Sequence, residues 1–260
     1  MMDTQKIYSP ALYDYIEPLA KWKILNLENL HIAAWRKTSP SNFYKTFGRI
    51  KENGLVEDFQ DNYSQRKYVY LSKKGREALG INYLIPLNKE SLIHDSFSSE
   101  NAFHFKDFPF TKEVLVDHEI LQRYPLIGHR PDALVFGYHK KDFCMAMEME
   151  LTIKSKERIL ETFSYYHESG FFNNVLYIFG QERVYETYIR ALENEGAHLN
   201  KSKFLFLYMK SMYRRYYDTF NSPCYHNGQT TTLGELFDIE QYKKSRWPGI
   251  EEKAGVKGVE

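Results

Sequence analysis

Residues 143–151, FCMAMEMEL, form an apolar run broken only by two glutamates two positions apart. Successive side chains of an extended strand point to opposite faces. Phe143, Met145, Met147, Met149 and Leu151 therefore share one face, and Cys144, Ala146, Glu148 and Glu150 share the other. Apart from the glutamates, both faces are core material, which predicts a strand buried on both sides within a sheet that helices cover. Two carboxylates side by side in such a strand repel each other and resist desolvation, and a cation relieves that cost. The bland alternative is an edge strand whose glutamates face solvent; the flanking MAM and MEL runs argue against it.

The surrounding pattern fits a mixed sheet flanked by helices. Residues 132–137, DALVFG, read as a strand joined to 143–151 by the hairpin YHKKD, and a shorter strand, KEVLVD, precedes it. A helix follows over about 154–168, with Ile159, Phe163 and Tyr166 inward. NNVLYIFG is a buried strand, ERVYETYIRALENEG a helix ended by Gly196, and KFLFLYM another buried strand. Upstream, Asn88 is placed to cap a helix through SLIHDSFSSENAFHF. The order α-β-β-β-α-β-α-β gives an α/β or α+β domain over 82–248.

Residues 1–81 read as three helices, a hairpin and a short helix. Ser39 is a good N-cap, Pro40 suits the first helical position, and Phe43, Phe47 and Ile50 form one apolar stripe. LVEDF and KYVYL form a hairpin, and Ser72 caps KKGREALG. Three helices and a hairpin make the winged helix-turn-helix pattern, whose third helix enters the major groove of double-stranded DNA. Asn42, Lys45, Thr46 and Arg49 lie off the apolar stripe and are the candidate DNA-reading residues; Arg66 and Lys67 beside the wing tip are candidate phosphate contacts. A winged helix used for protein contacts is the alternative.

The net charge of +1 neither favours nor excludes nucleic acid. Between Arg36 and Arg76, however, ten Lys and Arg stand against Glu52, Glu57, Asp58 and Asp61. Two isolated cysteines, Cys144 and Cys224, make neither a disulfide scaffold nor a zinc site. With no signal peptide and no apolar run long enough for a membrane, the expected location is cytoplasmic. The tail over 249–260 is expected to be disordered.

Asp132, which opens the strand next to Glu148 and Glu150, can join them. Three hard oxygen donors suit Mg²⁺ or Mn²⁺, which can activate a water and stabilise charge on a phosphate. Lys154 or Lys156, just downstream, could hold the attacking water. His94 is a candidate base or metal ligand, although a His-Asp pair on a helix is commonly structural. Arg130 suits a phosphate or an ion pair with the acidic cluster. Asp117, His118 and Glu119 have unspecific spacing. Tyr165 and Tyr166 could supply a hydroxyl nucleophile, but none of the 21 tyrosines stands out. MKSMYRRYYDTF (209–220) could line a single-strand groove or be a solvated helix.

Asp132 on one strand and Glu148 on the next, followed by a helix and a strand, resemble the PD-(D/E)xK nuclease superfamily with its restriction-endonuclease-like fold. The family's usual lysine position holds Glu150 here; similar families move the lysine to the next helix, which points to Lys154 or Lys156. More narrowly, the winged helix, SLIHDS, HRPDALVFG, EMELTIKSKERI and VLYIFG, taken in order, resemble the replication-relaxation proteins, which are similar to the MOBC relaxases of mobilisable plasmids and integrative elements. His94-Asp95, Arg130-Pro131-Asp132, Glu148, Glu150 and Lys154 then fall on recurrent motif positions. The resemblance implies metal-dependent, site- and strand-specific nicking of DNA at a transfer origin, with other relaxosome or transfer proteins as partners, and a homodimer is a further expectation. The rival expectations are a non-catalytic regulator of plasmid replication or transcription, whose nuclease-like domain serves assembly, and a defence endonuclease that cuts both strands.

Overall fold

The computed structural model describes residues 10–34, 37–62, 64–81, 87, 88, 90–210, 212 and 218–239. The expected tail, most of the 81–90 linker and half of the basic-aromatic stretch lie outside the described residues.

The N-terminal part contains α1 (Pro10–Ile16), α2 (Pro18–Trp22), β1 (Ile24–Asn26), α3 (Leu27–Ala33), α4 (Pro40–Glu52), β2 (Val56–Gln60), β3 (Lys67–Leu71) and α5 (Lys73–Ala78). Ser39 Oγ accepts from Asn42 N at 3.4 Å, which starts α4 where the sequence predicts. Phe43, Phe47 and Ile50 are buried, and Phe43 packs on Tyr15 and His31. The β2–β3 hairpin gains an unpredicted third strand, β1, in the order β1-β3-β2. Three residues are too short for any periodicity to announce; pairing of Ile24 with Tyr70 and Asn26 with Tyr68 makes them a strand.

Gly75 in α5 seals this part. A Cβ there would sit 2.0 Å from the Leu55 carbonyl oxygen and 3.2 Å from Leu71 Cδ2. Backbone cannot yield as a flexible side chain can, so Gly75→Ala is expected to cost about 1–3 kcal/mol in urea unfolding. An unchanged midpoint would contradict this close approach.

The remainder contains α6 (Leu92–Phe105), β4 (Thr111–Val116), α7 (Asp117–Arg123), β5 (Ala133–His139), β6 (Lys141–Glu150), α8 (Lys156–Glu168), β7 (Asn174–Phe179), α9 (Glu182–Glu195), β8 (Phe204–Tyr208), β9 (Pro223–His226), β10 (Gln229–Thr232) and α10 (Leu233–Leu236). One mixed seven-stranded sheet runs β10-β9-β8-β7-β6-β5-β4. The β6–β7 and β7–β8 pairs are parallel and the others antiparallel. Strand β6 lies inside the sheet between β5 and β7, so it is no solvent-facing edge. Its alternation is as predicted: Met145, Met147 and Met149 join one core layer with Phe97, Ala102 and Phe103 of α6. Cys144 and Ala146 join the other, with Ile159 and Phe163 of α8 and Tyr188 of α9.

One local expectation is corrected. Ser91, not Asn88, stands at the N-cap of α6; Asn88 instead shapes the preceding turn, accepting from Glu90 N at 3.2 Å. The region after β8 adds β9 and β10, joined by Asn227-Gly228, both at positive φ.

The two parts of the chain share a core. Trp22 packs edge-on against Phe103 of α6 at 5.3 Å, and Lys23 reaches Asp117 at 2.9 Å. Glu100 of α6, 3% exposed, accepts from Asn26 Nδ2 at 2.8 Å, Arg66 at 2.7 Å and the Tyr68 hydroxyl at 2.6 Å. The expectation that Arg66 meets a phosphate is corrected here. Its side chain is buried, its guanidinium pairs with Glu100 and also donates to the Met212 carbonyl, and no face of it is offered to DNA. Among the described residues no helix is long and apolar enough to cross a membrane.

Candidate functional site

The end of β6 gathers the carboxylates. Asp132 precedes β5; its N–H donates to the Met147 carbonyl at 3.1 Å, and its Oδ2 accepts from Met149 N at 2.7 Å. Ala133 pairs with Met147, so one step further Asp132 stands opposite Glu148. Glu148 and Glu150 are 6% and 3% exposed. Glu148 Oε1 accepts from His129 Nε2 at 2.8 Å and from the Tyr166 hydroxyl. Glu150 Oε1 accepts from Lys154 Nζ at 2.5 Å. From the opposite core layer, α6 brings His94 Nε2 to 3.0 Å from the Met149 carbonyl and 3.5 Å from Asp132 Oδ2.

The structure thus brings Asp132, Glu148, Glu150, Lys154 and His94 together. Lys156 turns away to Glu195 at 2.7 Å, which leaves Lys154 as the lysine of the cluster. Arg130 is exposed, next to His129, with no ion pair among the described residues. Asp117 and Glu119 serve structure: Asp117 pairs with Lys23, and Glu119 accepts from Val116 N at 3.1 Å. On α4, Asn42, Lys45 and Arg49 are exposed and Thr46 is half-buried, all off the apolar stripe. Lys67 is half-buried and pairs with Asp58 at 2.8 Å, an acid it shares with Lys51 at 2.5 Å. Its charge is therefore partly neutralised within the protein.

The electrostatics follow from burial. Desolvation pushes the Asp132 carboxyl well above its usual range, and the charges of Glu148 and Glu150 add to this; His94 and the Met149 N–H offset only part. Burial likewise raises Glu150, with Glu148 adding and Lys154 opposing. Burial disfavours a charged His94, but Asp95, Asp132 and the Met149 carbonyl outweigh it and hold the imidazolium up to about 9.

His129, Tyr177 and Tyr188 escaped the sequence reading, which has Tyr166 as an inward-facing residue and a candidate nucleophile but not as a partner of Glu148. Burial and Glu148 push the Tyr166 hydroxyl well above its ordinary value, so it stays a donor. The hydroxyls of Tyr177 and Tyr188 are buried near the same carboxylates without a well-formed hydrogen bond. Helical spacing marks Tyr166 as inward-facing, and β7 pairs Tyr177 with Glu148, but nothing in one sequence distinguishes these from the other tyrosines.

Among the described residues no three His, Cys, Asp or Glu side chains already converge as a metal site. The donor chemistry nevertheless fits a hard divalent cation: Asp132 and Glu148 supply carboxylate oxygens from opposed positions of neighbouring chain segments. Comparison with known proteins finds no matching family model, no matching curated protein and no matching solved structure.

Proposed function

We propose that this chain is a DNA-binding, divalent-metal-dependent endonuclease that nicks DNA, of the kind implied by its resemblance to replication-relaxation proteins and MOBC relaxases. The observation that carries the proposal is the group of side chains at the end of β6, where His94 lies 3.5 Å from the half-buried Asp132, Lys154 lies 2.5 Å from the buried Glu150, and the buried Glu148 stands opposite Asp132 in the strand register. Carboxylates withdrawn from water on neighbouring strand positions are expensive for a fold that has no use for them. The N-terminal part supports a winged helix that finds the site, with Asn42, Lys45 and Arg49 of α4 facing outward.

Asp132 and Glu148 would hold the Mg²⁺ or Mn²⁺, with Glu150 or His94 assisting. A bound ion would supply an acidified water and neutralise charge on the phosphate. Lys154, next to the cluster, would hold the nucleophile's position. His129 and Tyr166 orient Glu148, and the exposed Arg130, with no ion pair among the described residues, would meet a phosphate.

A second proposal, a non-catalytic DNA-binding regulator, is favoured by one observation: each carboxylate already has a donor within the protein. Calorimetric titration with Mn²⁺ separates the two. The nuclease proposal expects a binding event that disappears in Asp132→Ala, whereas no Asp132-dependent heat favours the regulator.

A further inference from the structure

Leu126 is 96% exposed, more than any other large apolar side chain among the described residues. It sits at the tip of a tight turn between α7 and β5. Ile127 N donates to the Tyr124 carbonyl at 3.1 Å across Pro125 and Leu126, with proline at the position that presets such a turn.

Both flanks of the turn are pinned. The Tyr124 ring packs on Phe171 at 5.1 Å and on Phe136 at 6.2 Å. Gly128 lies so close to the Tyr165 ring that a Cβ would come within 2.9 Å of it. His129 is held 2.8 Å from Glu148. A leucine on a turn held this firmly projects from the surface by construction. It is three positions from His129, so its Cα lies within about 11 Å of that residue's Cα. It therefore lies within a short span of the residue that bonds Glu148.

The charge on the turn matches a polyanion. From Gln122 to Pro131 the chain carries Arg123, His129 and Arg130 and no acidic residue. Arg123 pairs with Glu113 at 2.7 Å, and Arg130 is exposed without an ion pair among the described residues. An apolar tip beside an unpaired arginine matches the chemistry by which proteins unstack a duplex: the side chain enters a base step while cations hold the adjacent phosphates.

We infer that the Tyr124–Arg130 turn is a DNA wedge, in which Leu126 inserts into a base step of the duplex and Arg130 holds the neighbouring phosphate, presenting an opened strand to the Asp132–Glu148 cluster. This rests on the DNA-nicking proposal above for its substrate. A second copy of this chain seated on Leu126 is the competing occupant.

Permanganate, which oxidises unstacked thymines, tests the wedge without cleavage. Full-length Asp132→Ala protein is saturated onto a supercoiled plasmid, with binding followed by gel shift. The expected result is thymines that become reactive on binding. Adding Leu126→Ala to that variant should reduce their reactivity by about tenfold or more, and Leu126→Met should retain it. Equal reactivity with and without Leu126, no reactive thymine in the bound complex, or no binding at all would each overturn the wedge. So would a Leu126→Ala variant that unstacks normally but sediments as a smaller species, which would assign the tip to self-association. Wild-type cleavage, scored separately, reports on the nuclease proposal: unstacking without cleavage leaves the wedge standing and removes the nuclease.

Discussion

Glu100→Ala is expected to destabilise the protein by about 3–5 kcal/mol, the range for breaking a buried ion pair from one side. Glu100 is the common acceptor for Asn26, Arg66 and Tyr68, so its loss strands a buried guanidinium together with an amide and a phenol. Removing both charges is far milder, because the desolvation cost leaves with them. Glu100→Leu combined with Arg66→Met should therefore recover most of the loss in urea unfolding. A single-variant loss below about 1 kcal/mol would contradict the buried network. The prediction also bears on DNA binding: Arg66→Ala should weaken it by loosening the junction between β3 and α6, with a fall in stability to match. A phosphate contact would leave stability unchanged.

Asp132→Asn is expected to make the protein more stable near neutral pH while cutting nicking by about a hundredfold or more. In the folded chain the Asp132 carboxyl titrates above its usual range, because burial and the neighbouring Glu148 and Glu150 disfavour its charge. The folded state thus binds this proton more tightly than the unfolded one. The stability it contributes is present at low pH and is lost as pH rises from the ordinary carboxylate value towards neutrality. Asparagine mimics the protonated acid at every pH and can still accept from Met149 N. The variant should gain about 1–3 kcal/mol at about pH 8, and the gain should shrink towards about pH 5. Thermal unfolding at the two pH values measures this, and a variant less stable than wild type at the higher pH would contradict the electrostatic account of the cluster.

Much of this architecture was legible because periodicity is strong where burial is complete. Residues 143–151 announce a two-sided strand by their alternation, and β6 lies inside the sheet with both faces covered. Ser39 and Ser72 start helices where a hydroxyl before a helical run should. Short elements were lost: β1 owes its extended form to pairing with β3, and α7 begins directly at the end of β4. The β9–β10 hairpin could have been found, since Asn227-Gly228 is the preferred sequence of a two-residue turn.

The candidate site was legible along the chain and less so across it. Asp132, Glu148 and Glu150 follow from strand register alone. That Lys154 rather than Lys156 reaches the cluster depends on how the chain enters α8. Arg66 misled because a basic residue beside a hairpin looks solvent-facing, and its partner Glu100 lies 34 positions away. His129 approaches Glu148 only through the turn that carries Leu126, whose path no local pattern reveals.

The activity proposed for the cluster at the end of β6 is DNA cleavage. Its most direct test is a nicking assay on supercoiled DNA carrying the intergenic region next to this chain's coding sequence, with Mg²⁺ or Mn²⁺, comparing wild type with Asp132→Asn and Glu148→Gln. The account predicts metal-dependent open circles from wild type and none from either variant. Intact supercoiled DNA with wild type, or equal nicking by all three proteins, would contradict it.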